Sequence, residues 1–256
     1  DGNFSDNPTW SGDDTKFTID QNQLRSNSTT ASDIFYLSTP SSTSIDAEWR
    51  CYVHMNFSTS GANYTDVYLM SDSANLTKTH NGYFVRIGDT KDNISLYKII
   101  DGTTSQLTSG TESITHNKQI NLRVTRSSIG QWNVYADYNG GLDYTLEGAV
   151  TDNEVLKSLF FGFYIKQSTP TFHQKHFYDN IYVGPIQVDK TAPLILSTTT
   201  SDPNIIVLTC NEAVDISSAT FLLDNGYGAP DNAVVNNEEV TLTYNTPLAN
   251  NSYVLS

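Results

Sequence analysis

The stretch EWRCYVHMNF, residues 48–57, decides the fold of this chain. Every second residue from Trp49 to Phe57 is apolar, and the residues between them are polar or amphipathic. A period of two is that of a β-strand with one face in a core and the other in water. The sequence therefore predicts a half-buried strand over Glu48–Phe57, within an antiparallel sheet.

The same pattern recurs along most of the chain. Further strands are predicted at Asp66–Ser71, Tyr83–Gly88, Ile94–Ile99, Gln119–Arg126, Gln131–Tyr138, Leu159–Lys166 and Lys175–Val183. Turn signals such as Asn81-Gly82 and Asp101-Gly102 separate them, and Asp152–Ser158 is predicted to form a helical turn. No segment keeps a 3.6-residue apolar period over three turns, so the predicted class is all-β. Eight or more strands in one antiparallel unit usually close as a jelly-roll or lectin-like sandwich.

A second pattern of strands begins near Asp189. These strands are shorter, and the loops between them are rich in Asn, Asp and Gly. They are predicted at Leu194–Ser197, Asn204–Asn211, Ala219–Leu223, Ala233–Val235, Glu239–Tyr244 and Ser252–Leu255. We expect a large jelly-roll sandwich over residues 1–187 and a small immunoglobulin-like (Ig-like) β-sandwich over residues 188–256. Because an Ig-like sandwich has about 100 residues, we expect the small domain to be incomplete and the natural chain to continue past Ser256.

Composition narrows the classes of partner. The 256 residues include 14 Lys and Arg against 28 Asp and Glu, a net charge of −14. This charge repels nucleic-acid phosphates and anionic lipid headgroups, so neither is an expected partner. No apolar run approaches the ~18 residues of a transmembrane helix, so no membrane insertion is expected. The chain starts at Asp1 without an initiator Met, and we expect that an export signal has been removed.

Two sets of residues carry a resemblance to known families. The opening DGNF, NPTWSGD at residues 7–13, YLSTP at 36–40, NGYFVRIG at 81–88 and FYDNIYV at 177–183 resemble the N-terminal domain of secreted lamin-tail-domain proteins of Gram-negative bacteria. This resemblance implies a concanavalin A-like lectin/glucanase fold over about residues 1–187, in a protein that is secreted or on the outer cell surface. DKTAP at 189–193 followed by NEAVD at 211–215 resembles bacterial Ig-like modules, which act as spacers, although Cys210 stands where those modules carry an aromatic residue.

Catalysis is not expected from the acidic residues. Glucanases of the implied fold carry a Glu-x-Asp-x-Glu strand or a one-residue variant, and retaining hydrolysis needs two carboxyls about 5–5.5 Å apart. The chain has no such run. Asp46 and Glu48 lie two residues apart, but the neighbouring Arg50 predicts an exposed ion pair instead. We therefore expect no catalytic residues and no enzyme.

Histidines and cysteines give no zinc or disulfide prediction. His173 and His176 are the close pair, but no acidic or Cys residue stands at ligand spacing, so the histidines are predicted at the surface. Cys51 and Cys210 alternate with apolar residues in different predicted domains. We expect each to be buried in its own core without a disulfide between them.

Calcium is the one ion that the sequence makes plausible. It needs only carboxylates and carbonyls in loops, and Asp179 beside Asp1–Asn3 is the candidate site, because first and last strands commonly pair in this fold. The alternative is that Asp179 accepts backbone hydrogen bonds at a strand bend. No other cofactor is expected.

The residues between the inward positions form the predicted binding surface. On a curved sheet their aromatic rings and guanidinium groups would make a concave platform. The candidate ligand-binding residues are Arg50, Tyr52, His54, Tyr68, Arg86, Tyr97, Tyr135 and Tyr164, with Arg123 among the same outward positions. Such a surface suits sugars, whose C–H faces lie on rings while their hydroxyls take directed hydrogen bonds. The alternative is ordinary cross-strand packing of tyrosines.

Three classes of function follow. The first is a non-catalytic, secreted or cell-surface module that binds a glycan or cell-surface polysaccharide, or mediates adhesion. The second is a structural spacer that presents other domains of a larger surface protein. The third is a polysaccharide hydrolase with an atypical site. The first is preferred because of the fold resemblance and the missing glucanase motif, a preference that rests on analogy.

Overall fold

The computed structural model describes residues 4–6, 8–114, 116–187 and 191–256. These residues are almost entirely strands and connecting loops, with short 3-10 turns at Asp14–Lys16 and Pro170–Phe172. Within the described ranges, no helix has the length and apolar content to cross a bilayer. The chain divides into two compact units, residues 1–187 and residues 188–256.

Two antiparallel sheets build the first unit, each of seven strands in the described part of the chain. The first sheet contains, in spatial order, β1 (Ser11–Gly12), β4 (Asp33–Pro40), β13 (Phe160–Gln167), β6 (Tyr64–Ser71), β7 (Gly82–Gly88), β8 (Asn93–Ile100) and β9 (Thr103–Gln106). The second sheet contains β12 (Thr145–Thr151), β11 (Gln131–Asp137), β10 (Lys118–Arg126), β5 (Ala47–Met55), β14 (His176–Pro185), β3 (Gln23–Ser26) and β2 (Phe17–Asp20). The predicted all-β sandwich is confirmed.

The core lies between these two sheets. Twelve side chains at alternate positions of the predicted strands are buried in it. They are Trp49, Val67, Leu69, Val85, Ile87, Leu96, Leu122, Val124, Trp132, Val134, Phe161 and Phe163. At its centre the ring of Trp132 lies 5.6 Å from Trp49 of the same sheet and 4.6 Å from Tyr83 of the other sheet, between ring centroids. Each buried side chain of this size contributes ~1.5–3 kcal/mol, so the alternation alone supplies much of the stability of the sandwich.

Strand register decides which outward side chains become neighbours. In the first sheet, Asp66 of β6 lies opposite Arg86 of β7 and Tyr164 of β13. In the second sheet, Arg50 of β5 lies opposite Arg123 of β10. Each of these groups therefore forms a row across the outer face of its own sheet.

The second unit contains one antiparallel sheet in its described residues, in the order β15 (Ile195–Asp202), β16 (Ile205–Cys210), β18 (Glu239–Thr243) and β17 (Asn232–Asn236). The strands predicted at Ala219–Leu223 and Ser252–Leu255 are wrong, because these segments meet only through an isolated bridge between Leu223 and Leu255. Turns with positive φ at Asn225, Gly226 and Gly228 follow directly after the first of them. That this unit is an Ig-like sandwich stays a prediction.

The predicted helical turn at Asp152–Ser158 is also wrong. These residues form an irregular connection between β12 and β13. The Asp152 carboxylate accepts hydrogen bonds from the Tyr83 hydroxyl and, at 2.6 Å, from Lys98 Nζ. It also accepts one from the Glu154 N–H at 3.1 Å, which closes a local turn instead of capping a helix.

Candidate functional site

The eight candidate ligand-binding residues do not share one surface. Tyr68, Arg86, Tyr97 and Tyr164 lie on strands of the first sheet, whereas Arg50, Tyr52, His54 and Tyr135 lie on strands of the second sheet. Both sets point away from the core between the sheets, so they lie on opposite sides of the unit. The structure therefore replaces the expected single platform with two faces. Alternation assigns a residue to one side of its strand, but it does not say which sheet contains the strand.

The outer face of the first sheet is here called the tyrosine face. It comprises Tyr36, Tyr64, Asp66, Tyr68, Arg86, Tyr97 and Tyr164. Along β6, the outward residues Tyr64, Asp66 and Tyr68 are only 7%, 1% and 4% exposed. Since they point away from the main core, side chains of the flanking strands must cover them. The middle of this face is therefore a second, small aromatic core.

Two half-buried tyrosines rest on that aromatic base. The ring of Tyr97 lies parallel to the buried Phe84 ring, with 5.2 Å between centroids and 2° between planes. Tyr68 packs on Phe84 at 4.9 Å, and Tyr164 meets Tyr68 edge to face at 6.5 Å. Tyr97 and Tyr164 are thus fixed from below while part of each ring stays accessible. Fixed, partly exposed rings can receive the C–H face of a flat ligand at small entropic cost.

Arg86 occupies the space between these rings. Its Nε and Nη2 donate to the two carboxylate oxygens of Asp66 at 2.7 and 2.8 Å, and its Nη1 donates to Asp89 at 3.2 Å. The guanidinium lies 4.1 Å from the centroid of Tyr64 and 5.2 Å from that of Tyr97. Burial raises the pKa of Asp66, and the hydrogen bonds from Arg86 oppose that rise. Both Asp66 oxygens are engaged, so this carboxylate holds Arg86 and is poorly placed as an acid or nucleophile.

The outer face of the second sheet is here called the arginine face. It comprises Arg50, Tyr52, His54, Arg123, Tyr135 and Tyr182 with Glu48 between the arginines. Glu48 Oε1 lies 3.0 Å from Arg50 Nε and 3.1 Å from Arg123 Nε, and its Oε2 accepts the Gln187 N–H at 2.9 Å. Glu48 is 1% exposed, which corrects the prediction of an exposed ion pair. Asp46 takes a positive φ of 46° and bonds the Ser128 N–H, so it leaves the alternation that would have placed it beside Glu48.

Aromatic rings support the cations on this face. The Arg50 guanidinium lies 4.7 Å from the centroid of Tyr182, and that of Arg123 lies 5.3 Å from Tyr135. Farther along β5, the His54 ring is nearly parallel to Phe177 at 4.9 Å and lies 6.4 Å from the Tyr52 ring. The four candidates of the second sheet are therefore held on neighbouring strands of one surface.

Histidines depart from their predicted surface positions. His176 is fully buried, and its Nδ1 lies 3.1 Å from Ser26 Oγ. Burial lowers the pKa of His176 to about 3. His80 is 3% exposed, 5.2 Å from the Tyr68 ring, in the loop that covers one end of the tyrosine face. The sequence signal for this burial is alternation, because His176 lies two residues from the buried Tyr178 on the same strand.

Metal ligands do not converge among the described residues, where no three His, Cys, Asp or Glu side chains come together. Of the candidate calcium site, the structure describes Asp179, whereas Asp1–Asn3 lie outside the described residues. Asp179 accepts hydrogen bonds from the Asn180 N–H at 2.8 Å and from Gln23 Nε2 at 3.3 Å. It also lines a cavity of about 590 Å³ beside Trp10. Of the candidates from sequence, the proposed calcium ligand Asp179 borders this cavity, whereas none of the eight ligand-binding candidates does.

The cysteines are free and lie in separate units. Cys51 is 3% exposed and Cys210 is 6% exposed. Burial raises the pKa of the Cys51 thiol to about 12, so it remains protonated at neutral pH. Each cysteine therefore acts as a small apolar core residue.

Comparison with known proteins identifies the fold of the first unit. No family model matches the sequence, and no curated protein matches it. The exoplasmic/lumenal domain of VIP36 in its Ca²⁺- and mannose-bound form aligns with a TM-score of 0.52 at 13% identity, over 72% of this chain and 85% of that chain. A legume lectin-like domain from Entamoeba histolytica aligns with a TM-score of 0.50 at 9% identity, over 71% and 91%. The carbohydrate-binding module CBM66 from Bacillus subtilis aligns with a TM-score of 0.48 at 14% identity, over 68% and 94%.

At these identities the likeness concerns the fold alone. The sandwich is lectin-like, as the predicted concanavalin A-like class requires. The resemblances to lamin-tail-domain proteins and to Ig-like modules stay predictions.

Proposed function

We propose that residues 1–187 form a non-catalytic carbohydrate-binding module that holds glycans on the tyrosine face. The observation that carries this proposal is the pair of half-buried rings, Tyr97 and Tyr164, fixed on Phe84 and Tyr68 on either side of Arg86. Support comes from the fold, since VIP36, a lectin-like neighbour, has been solved with mannose bound. The proposed setting is outside the cell or on the outer surface of a Gram-negative bacterium, in binding or adhesion.

Polar groups beside Tyr97 suit sugar hydroxyls. A cavity of about 60 Å³ adjoins this ring, lined by Arg86, Asp89, Asn93 and Ser95 among others. A cavity needs about 10–15 Å³ of this kind of volume to hold one water molecule, so this one has room for a hydroxyl or hydroxymethyl group. Its carboxylate, amide and hydroxyl oxygens keep lone pairs that can accept from sugar hydroxyls, whereas the Arg86 donors are already engaged by Asp66 and Asp89. A sugar ring on Tyr97 would thus have one edge against directed polar partners.

The first test removes the two rings. In Tyr97→Ala and Tyr164→Ala we expect each change to weaken glycan binding about three- to tenfold, because each removes a ring contact worth about 0.5–1.5 kcal/mol beyond buried area. A glycan array that includes mannose oligosaccharides would select the ligand, and calorimetry would measure its affinity.

The matched controls are Tyr97→Phe and Tyr164→Phe, which keep the ring and remove the hydroxyl. We expect these to bind within about twofold of the parent. Unchanged affinity in both alanine variants would refute binding on this face. Release of reducing sugar from the array polysaccharides would instead support a hydrolase.

Calcium is proposed as an accessory ion at Asp179. If it binds there, added calcium raises the midpoint of thermal unfolding by about 3 °C or more, because a ligand that binds only the folded state stabilises it. Asp179→Asn is expected to abolish this rise, whereas Asp215→Asn in the second unit leaves it intact. A melting midpoint that responds to neither calcium nor chelator would rule the ion out.

A further inference from the structure

The two guanidinium groups of the arginine face carry unused hydrogen-bonding capacity. Arg50 and Arg123 are each held near Glu48 through Nε and supported by a tyrosine ring. In the part of the chain that the structure describes, their terminal Nη atoms donate no hydrogen bond to protein, and their side chains are 36% and 28% exposed. Arg86, by contrast, spends both of its terminal nitrogens on Asp66 and Asp89.

The arginine face has a local excess of positive charge around Glu48. Two guanidinium groups share one carboxylate, Glu48, whose second oxygen already accepts the Gln187 N–H. The result is a surplus of one positive charge in a chain with a net charge of −14. Tyr144 lies within the same field: burial raises its pKa, while Arg50 and Arg123 oppose that rise. A further acid, Asp179, also acts on this face, since its field adds to burial in raising the pKa of Tyr52.

We propose that Arg50 and Arg123 form a binding site for the oxyanion of an acidic sugar, either a carboxylate or a sulfate. A guanidinium offers two parallel N–H groups in a plane, which matches the paired oxygens of such a group. The hydrogen bond from Arg123 Nε to Glu48, the ion pair of Arg50 with the same carboxylate, and the rings of Tyr135 and Tyr182 hold both guanidinium groups in place before the ligand arrives, so little side-chain entropy is lost on binding. The same rings, with Tyr144, flank the position of the sugar.

This site differs from the tyrosine face in both place and chemistry. It lies on the other sheet, and it selects a charged substituent where the tyrosine face receives an uncharged ring. The sugar part of this proposal rests on the proposed function, whereas the oxyanion part rests on the arginines alone. One module could then hold neutral and acidic segments of polysaccharide on opposite faces.

The first experiment uses the unaltered protein and paired probes. An oligogalacturonate carries carboxylates, and its methyl ester has the same sugar without the charge. Dextran sulfate and dextran form the corresponding sulfate pair. We expect at least about tenfold tighter binding to the charged member of one pair, and the pair that responds identifies the oxyanion. Equal binding, or no binding, to both members of both pairs would overturn the proposal.

The second experiment locates the site. Arg50→Gln and Arg123→Gln should each weaken binding of the charged probe about tenfold or more. The matched control is Arg25→Gln, which removes one positive charge from the same sheet. Arg25 is already paired with Asp20, so it should contribute little to binding of the probe. We expect a change below about twofold there. An equal loss in the control would show that general charge, not this site, attracts the probe.

The conservative variant Arg50→Lys tests whether binding needs the planar guanidinium or only a positive charge. Because lysine can still pair with Glu48, this variant is expected to fold. It should weaken binding by at least about fivefold, because lysine lacks the planar pair of donors. Full binding by this variant would contradict recognition by the guanidinium fork. Tyr97→Ala should leave oligogalacturonate binding unchanged, so failure of the tyrosine face and failure of this site can be told apart.

Discussion

Arg86→Ala is expected to lower the free energy of unfolding of the first unit by about 3–5 kcal/mol. The change leaves the Asp66 carboxylate, 1% exposed, without the two hydrogen bonds that it accepts from Arg86. A buried charge without its partner costs more than the pair contributes, because the charge cannot recover its hydration. Urea unfolding monitored by tryptophan fluorescence would measure the loss, since Trp49 and Trp132 lie at the centre of the core.

The matched control is Arg25→Ala, which breaks the exposed pair with Asp20 and should cost about 0–1 kcal/mol. A double variant, Arg86→Met with Asp66→Leu, replaces both charges by apolar groups and should recover most of the stability lost in Arg86→Ala. A loss below about 1 kcal/mol in Arg86→Ala would mean that Asp66 is better solvated than its burial implies.

The alternating part of the fold could be predicted from sequence for a definite reason. In β5 a residue such as Val53 is buried because of its own polarity and its position two residues from other apolar side chains, which are both local properties. Strands without this contrast between apolar and polar positions give no such signal. β12, Thr145–Thr151, is mostly exposed, and β9, Thr103–Gln106, is polar throughout, so neither shows an apolar face to recognise.

The candidate site could be predicted only in its residue types. Tyr52 and Tyr68 both point outward, but β5 and β6 belong to different sheets, and this depends on pairing between distant strands. Local alternation carries no information about that pairing.

The burial of charged residues is also set by contacts with distant parts of the chain, which local sequence does not reveal. Glu48 reads as a solvated residue at the start of a strand, yet Arg123 and Gln187 cover it from positions far along the chain. Asp66 is likewise buried through its contact with Arg86 of the neighbouring strand. The residue types of the binding surface could therefore be predicted from sequence, but their arrangement in space could not.

Acidification is expected to destabilise the first unit through His176 before most carboxylates titrate. Burial lowers the pKa of this imidazole in the folded protein to about 3, whereas an unfolded histidine titrates near about 6.5. Between these values the unfolded chain binds a proton that the folded chain excludes, so stability is full above about pH 6.5 and falls as the pH decreases. The slope approaches about 1.4 kcal/mol per pH unit, which gives a loss of about 2–3 kcal/mol between about pH 6.5 and about pH 4.5.

His176→Gln isolates this contribution, because glutamine keeps a polar side chain near Ser26 Oγ but does not titrate. Urea unfolding across this pH range should give a much flatter stability curve for the variant than for the parent. His54→Gln is the matched control: it removes a histidine from the arginine face and should retain the slope of the parent. Burial raises the pKa of Asp152, but hydrogen bonds from Lys98 and Tyr83 outweigh it and lower that pKa. The contribution of Asp152 is therefore lost below about pH 3.9, at the acid end of the window in which His176 acts. Parallel curves for the parent and His176→Gln would show that the buried imidazole accepts its proton without unfolding the sandwich.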